Sequence, residues 1–124
     1  LRFGVDVMST TFSKSKRLKI AEKCNWHCAY CGLKLSHSTL VIDHVIPKYD
    51  GGSNDISNLL PSCISCNSTK GKKTLEQFRF FIEFRNAVPE MTFNQSQMEF
   101  LRQKGVLEQI GDFKKVKFFF EVGF

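Results

Sequence analysis

The 124-residue chain has no run of 18 apolar residues, so no part of it reads as a membrane-spanning helix. Its first residues also lack the apolar core of a secretory leader, which predicts a cytoplasmic protein whose cysteines stay reduced. There is no internal repeat, finger array or separate helix-turn-helix, so no dedicated base-reading module is present. Acidic residues are scarce in one part of the chain only. Residues 1–73 hold 5 Asp/Glu against 11 Lys/Arg, whereas residues 74–124 hold 7 of each, so the net charge of +6 belongs to the first part. A polyanionic partner would dock there; a solvated basic face with no partner is the alternative. Phenylalanine is scarce in that same part, with 11 of the 13 lying beyond residue 73. The length suits one compact domain with a C-terminal extension, large enough for a real core but helped by a structural metal.

Against these absences stand five cysteines, four of them in two Cys-x-x-Cys pairs, Cys28-Ala-Tyr-Cys31 and Cys63-Ile-Ser-Cys66. Each pair offers two sulfurs from one tight turn, and two such turns complete a closed tetrahedral zinc site. The alternatives are two disulfides, which need an oxidising compartment, or four unrelated buried thiols. The 31 residues between the pairs exceed the needs of a simple ribbon and carry their own polar pattern, so the metal is expected to close a working loop. Gly32 lets the backbone turn around the metal. Cys24 is expected as a small buried residue. With four sulfurs already available, His27 is expected near the metal or on the surface, not as a ligand.

The segment from Ser13 to Cys24 predicts a short basic helix, capped by Ser13 or Ser15, with Leu18 and Ala21 inward and Lys14, Lys16, Arg17, Lys19 and Lys23 outward. Residues 1–13 read as an irregular extension, with Met8 a possible start and Leu1 to Val7 lying upstream of it. Thr39 to Ile46 is rich in β-branched residues and predicts a strand ending at Pro47. Asp43 and His44 are adjacent, so the strand must end or bulge for both to reach one site. Pro47 to Asn54 is a Gly-containing open loop, Asn58 to Ser62 a short second strand or turn, and Cys63 to Lys70 a helix stopped by Gly71.

The pattern Cys-x-x-Cys-Gly, Asp43-His44-x-Ile-Pro, Gly51-Gly52, Asn58-Leu59, Cys63-x-x-Cys66-Asn67-x-x-Lys70-Gly71 resembles the HNH endonuclease family across roughly residues 17 to 74. One departure is Asn67, where the family name implies a second His; Asn-bearing members share the spacing. The resemblance implies an α+β fold: a ββα-metal nuclease core over residues 14–73, stapled by a four-cysteine zinc site, with a C-terminal helical and strand extension over residues 74–124. It implies a divalent-metal-dependent endonuclease that hydrolyses phosphodiester bonds in double-stranded DNA, nicking as a monomer and cutting both strands as a dimer. His44 would be the general base, since imidazole titrates at about 6.5 when unperturbed. Asp43 and Asn67 would hold one Mg²⁺ or Mn²⁺, leaving other positions to water and phosphate. Asn58 would fix the loop that carries His44. Lys14, Lys16, Arg17, Lys48, Lys70, Lys72 and Lys73 would contact phosphates. The rivals are a zinc-stabilised module that binds nucleic acid without cutting it, and an interaction module of a larger phage or restriction complex.

The Phe-rich half begins with a capping box at Thr74 and Gln77, which predicts a helix to about Asn86. Leu75, Phe78, Phe81 and Ile82 make one apolar stripe and Phe80 and Phe84 another, so this helix needs two partners. One is the core; the other is the C-terminal module or a second subunit, which raises the expectation of a homodimer. Val88-Pro89 breaks the helix, and a further one runs from Asn94 to Gly105 with Phe93 stapled onto Met98. Val116, Phe118, Phe120 and Val122 alternate with their neighbours, which predicts a terminal strand.

Overall fold

The computed structural model describes residues 12–123. The expectation for residues 1–13 therefore falls, apart from Phe12 and Ser13, outside the described residues. Helix α1 (Lys14–Glu22) starts where the Ser13 hydroxyl accepts the Lys16 amide, so Ser13 rather than Ser15 is the cap. Its buried residues are Ile20 and Ala21, while Leu18 is only half-buried. After α1 the chain turns through two consecutive left-handed residues, Asn25 (φ 51°) and Trp26 (φ 62°). A left-handed residue costs a non-glycine roughly 1–2 kcal/mol. Two hydrogen bonds around the turn, Trp26 N to Ala21 O and Leu35 N to Trp26 O, offset that strain.

Strand β1 (Val41–His44) pairs antiparallel with β2 (Leu59–Ser62), placing Asp43 opposite Leu60 and His44 opposite Leu59. The strand is shorter than the β-branched run suggests, and it ends at His44. Helix α2 (Ile64–Lys70) follows directly, with the Cys63 sulfur accepting the Cys66 amide at its N-cap. Two strands and a helix thus stand in the order expected of the core. Pro47 to Asn54 is more ordered than an open loop: it contains a 3₁₀ turn over Lys48–Asp50, and Gly52 N bonds back to Pro47 O.

The regular elements of the C-terminal half are all helices. Helix α3 (Leu75–Ala87) carries the capping box of Thr74 and Gln77, and α4 (Gln95–Gln103) carries the equivalent box of Asn94 and Gln97. A short α5 (Leu107–Ile110), unforeseen in the sequence, and α6 (Phe119–Val122) complete the chain. The terminal strand over Val116 to Val122 does not form. Its alternation arises because Phe118 is buried while Lys117 is exposed, and α6 begins at the next residue.

Helix α3 has two covered sides, as its stripes imply, and both partners lie in this chain. Phe78, with Leu75 and Ile82 beside it, joins the core of Ala21, Cys24, Ala29, Tyr30, Leu35, Leu40, Leu60 and Phe118. Phe80 and Phe84 form a second core with Val88 and Met98, and Phe81 packs there rather than with Phe78. The second stripe of α3 packs within the chain and Phe118 is buried in the first core, so the chain itself supplies the two partners that the stripes require. Among the described residues no helix is long and apolar enough to cross a membrane.

Candidate active site

The four paired cysteines converge. Their sulfurs all lie within 4.8 Å of one another, and Cys31 Sγ is 3.8 Å from Cys63 Sγ. A tetrahedral ion about 2.3 Å from each sulfur requires sulfurs about 3.8 Å apart, so the donor set fits zinc. Among the described residues no cysteine is paired as a disulfide, and Cys24 is buried in the core outside the cluster. A hydrogen bond from Cys66 holds the Cys28 thiol down at about 4, and the same contact pushes Cys66 far up. Burial raises Cys31 as well. Four thiols so close resist ionising together until a dication compensates them. Gly32 sits at φ 80°, and a Cβ there would come within 2.8 Å of the Phe119 ring, so both the turn and the packing behind it require glycine. His27 stacks on Phe119 and bonds the Asn25 carbonyl through Nδ1.

Beside this cluster the end of β1 and the start of the following loop open a cleft of about 330 Å³ lined by Asp43, His44, Lys48, Tyr49, Asn67 and Lys72, among others. Asp43 and His44 reach the same cleft because the strand stops at His44. Asn67 reaches it from the middle of α2. Asp43 is 4% exposed, and its Oδ2 accepts the Tyr30 phenol at 2.5 Å and lies 3.4 Å from Lys70 Nζ. Burial pushes the Asp43 carboxyl up, with Tyr30 and Lys70 opposing. Burial, and then the Asp43 charge, push the Tyr30 phenol up, so it remains a donor.

His44 Nε2 lies 2.8 Å from Asn54 Oδ1. An amide oxygen can only accept, so this contact puts the hydrogen on Nε2 and the lone pair on Nδ1. Asn58 does not face the cleft with these groups. Its Oδ1 accepts Ile46 N at 2.9 Å, and its Nδ2 donates to Ile46 O and Ser53 O, so it ties both ends of the loop after His44. Gly52 closes that loop against the Ile46 carbonyl, where a Cβ would fall 1.7 Å from the oxygen.

One of the expected phosphate contacts needs correction. Lys70 is wholly buried, its Nζ bonded to His44 O at 2.8 Å and paired with Asp43, so it cannot reach a phosphate. Three more cations have their charged ends on main-chain carbonyls: Lys16 on Asn54, Arg17 on Leu40 and Lys73 on Thr69. Lys23 likewise bonds Ile56 and Leu59, so much of the basic face of α1 fastens that helix to the loop and strand beneath it. Lys48 and Lys72 are exposed in the cleft wall, Lys72 lying over the Tyr49 ring, and Lys14 is exposed on α1. Tyr30, Asn54 and Lys70 are the partners that sequence reasoning missed or misassigned. Tyr30 is hidden inside a metal-binding pair, and nothing in linear spacing joins it to Asp43.

Residues 28–73 match the family model described as HNH endonuclease. The chain is 36% identical over 72 residues to the SPbeta prophage-derived putative HNH endonuclease YoqL of Bacillus subtilis, a match covering 46% of this chain and 30% of that protein. It is 38% identical over 56 residues to the CRISPR-associated endonuclease Cas9 of Corynebacterium diphtheriae, covering 44% of this chain and 5% of that one. Among solved structures, the Type II-C Cas9 enzyme from Actinomyces naeslundii matches with a TM-score of 0.49 at 20% identity, over 82% of this chain and 13% of that one. The chain thus spans less than a third of each of these relatives.

Proposed function

We propose, from the HNH endonuclease match at residues 28–73, that this protein is a divalent-metal-dependent endonuclease hydrolysing phosphodiester bonds in double-stranded DNA. The observation that carries the reading is one cleft shared by an imidazole, a carboxylate, an amide and two exposed lysines: His44, Asp43, Asn67, Lys48 and Lys72. His44 takes the proton of the attacking water at Nδ1, the nitrogen left with a lone pair by Asn54. Asp43 and Asn67 supply oxygens for one Mg²⁺ or Mn²⁺, which when bound polarises the phosphate and stabilises the departing oxygen. Asn58 acts at a distance, holding the loop that begins beyond His44. Lys48 and Lys72, exposed in the cleft wall, contact backbone phosphates. Cys28, Cys31, Cys63 and Cys66 hold a structural zinc that fixes β2 and α2 against the Tyr30 turn. One site cuts one strand, so the elementary product is a nick, formed in the cytoplasm of a bacterial or phage-infected cell.

The test is supercoiled plasmid incubated with the zinc-loaded protein with and without Mg²⁺. Relaxed circles should form only with Mg²⁺, and His44→Ala should reduce their rate by about 10²–10⁴-fold, the usual worth of a general base. Plasmid binding without any relaxation would leave a nucleic-acid-binding module. Unaltered cleavage by His44→Ala would overturn the role of the imidazole.

A further inference from the structure

Among the described residues the Phe-rich half supplies no lining to the cleft, yet it converges on Tyr30, whose hydroxyl bonds a residue that does line it. Tyr30 is 5% exposed, and its ring meets three phenylalanines edge-on: Phe78 at 5.2 Å, Phe118 at 5.0 Å and Phe120 at 6.2 Å between centroids. Its backbone is held from the same side. Phe119 N donates to Tyr30 O at 3.1 Å and Phe120 N to Ala29 O at 2.8 Å, while Ala29 N donates across to Pro61 O on β2. These contacts enclose the ring and fix its backbone, and its hydroxyl ends on Asp43 Oδ2.

The consequence lies in the carboxylate. The terminal torsion of an aspartate joins sp³ to sp² carbon and has no sharp staggered minimum, so an Asp has little stiffness of its own about that bond. One hydrogen bond and one ion pair on the same oxygen provide it. Tyr30 and Lys70 both fall on Oδ2, and Lys70 is itself fixed by its bond to His44 O. Oδ1 is thereby the oxygen clear of both contacts, on a residue that lines the cleft with His44 and Asn67.

We propose that Tyr30 is a positioning residue for the divalent ion that Asp43 and Asn67 would hold: clamped by the aromatic C-terminal segment, it holds Asp43 by Oδ2 so that Oδ1 is left free for that ion. This rests on the reading that Asp43 and Asn67 hold the ion. The Phe-rich extension then serves to hold the phenol in place, and the zinc turn that contains Tyr30 is coupled to the second metal position through one hydrogen bond. Outer-shell partners of metal-binding carboxylates are usually worth about 10–100-fold in metal affinity.

The experiment measures Mn²⁺ binding to the zinc-loaded full chain without DNA, by water-proton relaxation, for wild type, Tyr30→Phe and Asp43→Ala. Tyr30→Phe keeps the ring and its packing; it should retain one zinc per chain and weaken Mn²⁺ about 10–100-fold. Its cleavage should be partly restored by raising Mn²⁺, as a defect of positioning predicts and a defect of folding does not. A Tyr30→Phe dissociation constant within twofold of wild type, with Asp43→Ala strongly impaired, overturns the role of Tyr30 alone. Wild-type binding by Asp43→Ala overturns the underlying reading and the proposal with it. A second measurement does not depend on that variant folding. The chain has 2 tyrosines, so 3-fluorotyrosine incorporation into a Tyr49→Phe background leaves a single fluorine signal, that of Tyr30. That signal should shift saturably with Mg²⁺, and a signal that stays put through saturation overturns the coupling.

Discussion

At the scale of single residues, spacing identifies the residue types that carry chemistry but not the partners that hold them. That Asp43, His44 and Asn67 share one cleft is legible because they sit at the end of one strand and on the helix that follows the next. Tyr30, Asn54 and Lys70 are not, because their roles depend on contacts made only after β1, the zinc turn and α2 have packed together. Lys70 shows the difference best. As the last residue of α2 before a glycine, in a basic segment, it reads as a phosphate contact, yet it is a wholly buried counter-charge to Asp43. The two readings predict opposite outcomes for Lys70→Met. A phosphate contact would weaken DNA binding and leave stability alone. Removing one partner of a buried ion pair leaves the other uncompensated, which typically costs about 3–5 kcal/mol. Urea unfolding of Lys70→Met should show a loss of that size, whereas Lys72→Met, at an exposed position, should stay within about 0.5 kcal/mol of wild type. Equal stability of the two variants would contradict the buried role of Lys70.

At the scale of elements, the helices are the most legible because their ends are written locally. Ser13, Thr74 and Asn94 each accept an amide three residues on, and two of the three complete a reciprocal capping box. The terminal segment is misread because alternation is necessary for a strand but not sufficient; the segment finds two main-chain acceptors, the Ala29 and Tyr30 carbonyls, and no strand beside it. What fastens it is polar and long-range. Arg79 on α3 donates to Val116 O and to both oxygens of Glu121, and its guanidinium lies 4.7 Å over the Phe118 ring, while Glu83 accepts Val116 N. The Arg79 hydrogen bond holds the Glu121 carboxyl below its ordinary value. A carboxylate with a lowered folded value stabilises the fold above its unfolded value, about 4.3 for Glu, and that stability is lost as the pH falls through the folded value. Glu121→Gln should therefore be less stable than wild type at neutral pH, by no more than about 1 kcal/mol since the pair is partly solvated. The gap between their urea midpoints should begin to narrow as the pH falls below about 4.3 and close only once it has passed the lowered folded value of wild-type Glu121. A gap that persists unchanged at low pH would show that Glu121 acts by packing and not by charge.

At the scale of the whole molecule, the charge count overstates the surface available to a polyanion. The asymmetry between residues 1–73 and 74–124 correctly singles out the part of the chain that holds the cleft, but it does not distinguish a cation in solvent from one bonded to a carbonyl. Lys16, Arg17, Lys23, Lys70 and Lys73 are bonded internally, so much of the net +6 near the cleft is structural. Salt dependence separates the two kinds. Each phosphate neutralised by a lysine releases condensed counterion and adds about −0.9 to the slope of log binding constant against log salt on duplex DNA. Lys72→Ala should make that slope shallower by about 1 and weaken binding uniformly across sequences. Lys16→Ala should leave the slope unchanged and instead lower the urea midpoint, because what it removes is the tether from α1 to the Asn54 carbonyl. Asn54 also bonds His44, so the same variant should slow cleavage more than it weakens DNA binding. Fluorescence anisotropy of a labelled duplex across a salt series, paired with plasmid nicking at one salt, reads both effects. Equal slope losses for Lys16 and Lys72 would place α1 on the DNA and make its carbonyl contacts incidental.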